Sequence, residues 1–317
     1  MDYSRGQALL SRLPKVRGRY SADAPLSKIT WFQVGGPADV LFKPADPQDL
    51  AFFLQERPKD IPLHILGVGS NLLVRDGGVP GVVIRLGRGF TNLAIAADGV
   101  TLDVGAGVLD RTVALIAQEE GIGGLEFLVG IPGTMGGALK MNAGCYGTEM
   151  KDVLDSALVI TDKGQLMRLT PQELGMSYRH TTLPDSWVVV SVRLKGHAEE
   201  SSLLKERLDT LLAQREASQP VRTRTGGSTF ANPDGCRAWE LIDQAGCRGL
   251  RIGGAQVSPM HCNFLINTGD ATAQDLETLG EHVRARVLET SGVDLRWEIQ
   301  RWGDMVTSTQ VYGAEAA

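Results

Sequence analysis

Gly121 to Gly147 reads GIGGLEFLVGIPGTMGGALKMNAGCYG, and four of the eight residues from Gly130 to Gly137 are glycine. Glycine inside regular structure costs about 0.5–1 kcal/mol relative to alanine, so this density needs a reason beyond turn-making. Close approach of the main chain to a flat or charged ligand supplies one. A segment this long without regular structure is uncommon in a compact domain unless it wraps a ligand or forms a lid. The stretch is therefore expected as a loop region. It follows a helix capped by Asp110 that carries Val113, Ala114, Ala117 and Gln118 and ends near Gly121.

Upstream, the strand Leu63 to Leu66 runs into Gly67-Val68-Gly69-Ser70-Asn71, where small residues let successive N–H groups curl around a phosphate oxygen. This is neither a Walker A motif nor the six-residue dinucleotide fingerprint, which argues against a plain NAD-binding fold. Around it, Ala38 to Lys43 alternates as a strand. Asp46 caps a helix with Pro47 in its first turn and Leu50, Phe53 and Leu54 on one face, and Val82 to Leu86 follows the Asp76-Gly77-Gly78 turn. These pieces form one small α/β lobe. Strands at Val100 to Val104, Ala157 to Thr161 and Trp187 to Leu194 frame a second. The polar junction Gly196 to Ser202 then opens a third region. It holds a helix at Leu203 to Arg215, a Gly/Ser/Thr loop at Thr225 to Asn232, a helix at Ala238 to Ala245 and a strand at Asn263 to Asn267. A long helix opened by Thr272 and Asp275 and stopped by Gly292 precedes a terminal strand at Val293 to Arg301. The expected organisation is an arm over 1–25, subdomains over 26–80 and 81–197, and a last domain over 198–317.

Composition bounds the partners. With 317 residues, 43% hydrophobic content, 22% charged residues and a net charge of -5, the chain can bury several cores and has no basic excess to track nucleic acid. No apolar run reaches membrane-helix length, and Asp2, Arg5, Arg12 and Lys15 replace the apolar stretch of a signal peptide, so a cytoplasmic protein is expected. Cys145, Cys236, Cys247 and Cys262 lack CxxC spacing and read as reduced small hydrophobes, and no His or Cys pattern implies a metal.

The runs ILGVGSNLLVRDGGVPGVVIRL, GIPGTMGGALKMNAGCYG and GGSTFANP, in this order and spacing, resemble the UDP-N-acetylenolpyruvoylglucosamine reductase family from about residue 26 to residue 302. The resemblance implies an α+β fold: two α/β subdomains forming a PCMH-type module that binds FAD, and a C-terminal α+β domain that closes over the nucleotide sugar. It implies that Gly67, Gly69, Ser70 and Asn71 meet the FAD pyrophosphate, that Gly130, Ile131, Gly133, Thr134, Gly136, Gly137 and Asn142 line the rest of the groove, and that Val34, Gly35 and Gly36 lie nearby. For the chemistry it points to Arg179 in GMSYRH, Ser228 in GGSTFANP and Glu298 in WEI, with Tyr178, Asn232 and Gln244 on the substrate. Implied partners are NADPH as hydride donor and UDP-N-acetylglucosamine enolpyruvate as acceptor, on a monomer. The residue types suit such a reaction. A guanidinium stabilises the enolate left by hydride addition, and a serine hydroxyl, a poor acid, can protonate a centre that basic.

The chain departs from the family pattern in two places. Ala231 stands where the family usually has Lys, removing one positive charge near the substrate. No insertion between Arg179 and Trp187 supplies the extra tyrosine loop of one branch, so the chain resembles the shorter branch. Its substrate phosphates then need other partners, with Arg215, Arg222 and Arg224 as candidates. Two competing readings are an FAD-linked oxidase or dehydrogenase of small alcohols, which Arg179 and Ser228 speak against, and a non-catalytic nucleotide-binding homologue, for which Ala231 is the only hint.

Overall fold

The structure is a computed structural model that describes residues 4–306. The chain forms two compact units: Met1–Ala22, Val40–Gly67 and Gly81–Arg215 in one, and Asp23–Asp39, Val68–Pro80 and Glu216–Ala317 in the other.

The first unit is built on two sheets. One has the strand order Arg19–Pro25, Pro37–Lys43, Val79–Arg85, Leu63–Leu66, with the last two parallel. The helix Pro47–Glu56 packs on it. Asp46 accepts the Asp49 N–H at 2.9 Å, and Pro47 fills a position whose missing N–H costs nothing. Leu50, Phe53 and Leu54 then bury against Val40, Phe42, Val82 and Ile84, each side chain contributing about 1.5–3 kcal/mol. Asp49 on the same helix accepts N–H groups of Arg17, Gly18 and Ala45 at 2.7, 2.8 and 3.0 Å. Those bonds pin the N-terminal arm, which is a helix at Arg5–Leu10 and a strand at Arg19–Pro25. The second sheet is antiparallel, in the order Leu166–Leu169, Leu154–Ile160, Val188–Lys195, Thr101–Gly105, Leu93–Ile95. Its core face packs Ala157, Val192, Leu194, Leu102 and Val104 against Val113 and Ala117 of the helix Asp110–Glu119, and Met135 and Leu139 of the helix Met135–Lys140.

That last helix corrects the expectation of a continuous loop from Gly121 to Gly147. The segment holds a 3-10 turn at Glu126–Gly130, the helix Met135–Lys140 and a hairpin of Gly144–Cys145 with Thr148–Glu149. Gly136 serves as a spacer inside that helix. None of Gly130, Gly133, Gly136 and Gly137 is left-handed, and a Cβ on Gly136 would sit 3.0 Å from Ala106 Cβ, at the tight end of packing.

A second correction concerns Asp110. Leu109 holds the N-cap position, and Asp110 is the first helical residue with no capping bond from its side chain. Its carboxyl is fully buried, and neither oxygen has a hydrogen-bond partner in the structure. Burial pushes it well above the usual carboxylate range. A carboxyl raised on folding stabilises fully below its unfolded pKa, and that stability is lost as pH rises through the folded value. Asp110→Asn is therefore expected to raise the melting temperature at pH 7 and to change it far less near pH 3; equal shifts at both would contradict a neutral buried acid.

In the second unit the strands Arg224–Ser228, Phe264–Asn267, Ala255–Val257 and Arg251–Ile252 form an antiparallel sheet. The helix Ala273–Ser291 covers it, opened by a reciprocal capping box between Thr272 and Asp275 and closed by Gly292 at φ 72°. Leu276, Leu279, Val283 and Val287 bury its stripe against Val257, Leu265 and Ile299. The Thr225 to Asn232 loop is thus partly strand. The terminal strand expected over Val293 to Arg301 is shorter than its alternation suggests. Only Gln300–Trp302 forms a ladder, parallel to Leu72–Val74, because Arg296 and Glu298 pair instead with the irregular segment at Thr229 and Ala231.

Buried charge braces that parallel pair. Glu277 accepts two bonds from Arg75, at 2.8 and 2.9 Å, and one from Arg301 at 2.9 Å. The Arg75 hydrogen bond, reinforced by Arg301, holds its carboxyl below the usual range. Removing one partner of a buried ion pair leaves the others uncompensated, so Glu277→Gln is expected to cost about 3 kcal/mol at pH 7. Stability from a depressed carboxyl is lost as pH falls through the folded pKa. The difference between the wild type and Glu277→Gln should therefore shrink below about pH 4, as acid unfolding curves would measure.

Candidate functional site

In the first unit, Gly67 follows the strand Leu63–Leu66 and lies beside Thr134, which precedes the helix Met135–Lys140. A Cβ on Gly67 would meet Thr134 Oγ1 at 2.6 Å, and a Cβ on Gly137 would meet only the same oxygen, at 3.8 Å. Gly67, Thr134 and Gly137 thus share a surface stripped of side-chain bulk, as close contact with a cofactor requires. The other glycines of the run face inward: Gly130 toward Cys145 and Tyr146, Gly133 toward Asp110, Gly136 toward Ala106. Ile131 is half-buried between them. The glycine-lined surface fits FAD.

Tyr178 and Arg179 stand at the tip of a tight turn closed by reciprocal bonds between Ser177 and His180, at 3.0 and 3.1 Å. Arg179 takes φ 54°, donates through Nη2 to the Gly144 carbonyl at 3.0 Å, and lies 4.9 Å from the centroid of the Tyr178 ring. Asn142, fully buried at φ 39°, spends its side chain inside the protein. It donates to Ser177 O at 2.9 Å and to Glu149 Oε2 at 3.1 Å, and accepts the Lys151 N–H at 3.0 Å. Any cofactor contact expected of Asn142 is left to its main chain. Tyr146 is also left-handed, at φ 56°, in the hairpin turn with Gly147. Three of the five non-glycine left-handed residues in the described chain, Asn142, Tyr146 and Arg179, therefore belong to this one neighbourhood, and such conformations concentrate at functional sites. Arg215 reaches Val129 O at 3.3 Å near Cys145 and Tyr146, its pKa lowered by burial.

The second unit gathers another set. Val34, Gly35 and Gly36 run beside Leu72–Val74, with the Gly36 N–H donating to Arg75 O at 3.0 Å. Gly69, at φ 66°, lies so near Thr30 that a Cβ would come within 2.9 Å, and its carbonyl accepts the Trp31 N–H at 3.1 Å. Asn71 links this loop to the C-terminal segment: its Nδ2 donates to Glu298 O at 3.3 Å, and its carbonyl accepts the Gln300 N–H at 3.1 Å. Ser228 ends its strand after a register shift, opposite Phe264. The next residue, Thr229, accepts the Glu298 N–H at 2.8 Å, while a Cβ on Gly227 would lie 4.0 Å from Ser70 O. Ser70, Asn71, Ser228 and Glu298 thus occupy neighbouring segments.

Asn263 clamps the serine loop by exchanging bonds with Phe230, at 2.9 and 2.8 Å, while its carbonyl takes the Thr229 N–H at 2.7 Å. Asn232 accepts the Ala238 N–H at 3.0 Å and so opens the helix Ala238–Gln244, whose last residue is Gln244. Ala231 is buried. Of the other phosphate candidates, Arg222 pairs with Glu216 at 2.6 Å and Arg224 reaches Gly269 O at 3.3 Å. Sequence reasoning missed the carbonyls of Gly144 and Ser177, which hold the Arg179 turn, because main-chain acceptors leave no residue-type signal.

Among the described residues no group of three or more His, Cys, Asp or Glu side chains could hold a metal, and no helix is long and apolar enough to cross a membrane. The four cysteines are free. Residues 38–170 match the family described as FAD binding domain. With the glycine cradle, this makes the chain an FAD-dependent oxidoreductase of α+β fold, an FAD-binding module joined to a C-terminal α+β domain. Residues 219–302 match the UDP-N-acetylenolpyruvoylglucosamine reductase C-terminal domain. The chain is 60% identical over 300 residues to the UDP-N-acetylenolpyruvoylglucosamine reductase of Rhodospirillum rubrum, covering 93% of each, and 58% identical over 296 residues to that of Parvibaculum lavamentivorans, covering 93% of this chain and 95% of the relative. The crystal structure of the Thermus caldophilus reductase superposes with a TM-score of 0.79 at 36% identity, covering 91% of this chain and all of that one. The chain belongs to the UDP-N-acetylenolpyruvoylglucosamine reductase family.

Proposed function

We propose that this chain reduces UDP-N-acetylglucosamine enolpyruvate to UDP-N-acetylmuramate with NADPH, a step in peptidoglycan precursor synthesis, and that it acts as a cytoplasmic monomer. FAD, held by residues of the 26–80 and 81–197 regions, supplies hydride transfer from NADPH to the terminal carbon of the enolpyruvyl group. The chain's own residues bind, orient and protonate. Arg179 pairs with the enolpyruvyl carboxylate and stabilises the charge that grows there once the double bond is attacked. Ser228 Oγ hands its proton to the carbon bearing the ether oxygen and is reprotonated from solvent. Glu298 orients the enolpyruvyl group. Tyr178, Asn232 and Gln244, with residues of 198–317, hold the nucleotide sugar, whereas Gly67, Gly69, Ser70, Asn71, Gly130, Ile131, Gly133, Thr134, Gly136 and Gly137 belong to the loops that line the cofactor groove, with Val34, Gly35 and Gly36 beside them.

The observation that most supports this reading is the meeting of Ser70–Asn71 with Ser228 and Glu298 in one set of hydrogen-bonded segments. It brings the expected phosphate loop beside the expected proton donor. Mass spectrometry of the nucleotide sugar before and after incubation with NADPH tests the proposal. A product heavier by two hydrogens is expected, formed only with NADPH present; an unchanged sugar in the presence of flavin-loaded protein would contradict it.

A further inference from the structure

We propose that Asn142 is a positioning residue for the reduction, acting through the Ser177 carbonyl to aim Arg179, and that its side chain is not a cofactor ligand. The inference rests on the reading of Arg179 as the group that meets the substrate carboxylate. An asparagine side chain offers two donors and one oxygen. In Asn142 both donors are engaged, to Ser177 O at 2.9 Å and Glu149 Oε2 at 3.1 Å, and the oxygen holds the Lys151 N–H at 3.0 Å. With no solvent exposure, the amide cannot turn outward without breaking all three.

Two of the three bonds end on the apparatus around Arg179. Ser177 is the residue whose reciprocal bonds with His180 close the turn bearing Tyr178 and Arg179. Glu149 pairs with Gly144 across the two-residue hairpin, and the Gly144 carbonyl is the acceptor for Arg179 Nη2. A Cβ on Gly144 would come within 2.7 Å of Glu149 Cγ, so this approach has no slack. Asn142 thus fixes both the base of the arginine's turn and the strand its guanidinium leans on. Asparagine also tolerates the left-handed backbone of that position, at φ 39°, better than residues other than glycine. A second tie, from Thr181 Oγ1 to Lys140 O at 3.0 Å, holds the far side of the turn but touches neither Ser177 nor Gly144.

A double-mutant cycle on the flavin-loaded enzyme tests the inference, using Asn142→Ala and Asn142→Gly. The second removes the side chain without straining the backbone. Two half-reactions are followed anaerobically: bleaching of the flavin by NADPH, and its return on adding enolpyruvyl sugar. Flavin affinity and bleaching are expected to change less than about threefold, while the return slows on the order of a hundredfold, the effect of misplacing a reacting group by about an ångström. In an Arg179→Ala background the Asn142 substitutions should add almost nothing, because residues acting as one unit are not additive. A full additive loss in that background would overturn the proposal. So would loss of flavin binding or folding in both Asn142 variants, which would make Asn142 a cofactor or scaffold residue. If Arg179→Ala alone leaves the return unaffected, the reading of Arg179 fails, and this inference fails with it by a separately recognisable result.

Discussion

Replacing Ser228 with Ala is expected to leave bleaching of the bound flavin by NADPH intact and to slow its recovery with enolpyruvyl sugar by roughly 10²- to 10⁴-fold, the contribution of a positioned general acid. Ser228 sits where a strand breaks register, and the following residues are held by Asn263 on one side and by the Glu298 N–H on the other. A main chain held in that way keeps the serine's position when its neighbours stay put. The Ala variant removes only the oxygen, so the loop should keep its path and the NADPH half-reaction serves as an internal control. Stopped-flow absorbance measures both phases. Equal slowing of the two phases would point to damage at the cofactor, and an unaltered recovery rate would remove Ser228 from the chemistry.

Arg179→Ala should produce the second largest effect, a loss of about 10²- to 10³-fold in the recovery phase, comparable with removal of one stabilising donor at a developing anion. Arg179→Lys should regain only part of it. A lysine ammonium carries the charge but lacks the planar fork that grips a carboxylate with two bonds and leans on Tyr178. The left-handed backbone at Arg179 adds a cost that a protein keeps only where surrounding structure overdetermines it, here the Ser177–His180 bonds and the Gly144 carbonyl. The affinity of the oxidised enzyme for the substrate, measured by perturbation of the flavin spectrum, should weaken along with the rate. A rate loss without any loss of affinity would mean that Arg179 acts only after the double bond has been attacked.

Much of this architecture could be read from local patterning. The helix Pro47–Glu56 follows from Asp46 and Pro47, and the helix Ala273–Ser291 from Thr272, Asp275 and Gly292, since caps and terminators act within a few residues of where they stand. The strand Leu63–Leu66 and its glycine exit were equally legible. Failures came where tertiary contacts overrode local signals. The glycine density from Gly121 to Gly147 reads as loop, yet a helix runs through Gly136 and Gly137, where the packing of Gly136 against Ala106 needs space rather than left-handed freedom. Asp110 has the composition of a cap, but its neighbour holds that position and its carboxyl is buried. Val293 to Ile299 alternates like a strand, but its main-chain groups are claimed by Thr229 and Ala231, far away in sequence.

The candidate site was legible in a different way. The glycines, Ser228, Arg179 and Glu298 came from a resemblance in ordered motifs, not from periodicity, since no propensity distinguishes a proton-donating serine from one in a turn. The residues that hold those groups in place, such as Asn142 and Asn263, work through main-chain partners brought together only by the fold.

An anaerobic single turnover tests the central claim most directly. Protein purified with its flavin is bleached with one equivalent of NADPH, and UDP-N-acetylglucosamine enolpyruvate is then added without oxygen. The account predicts that the oxidised flavin spectrum returns in full and that an equal amount of UDP-N-acetylmuramate appears. A spectrum that stays bleached until air is admitted would contradict it.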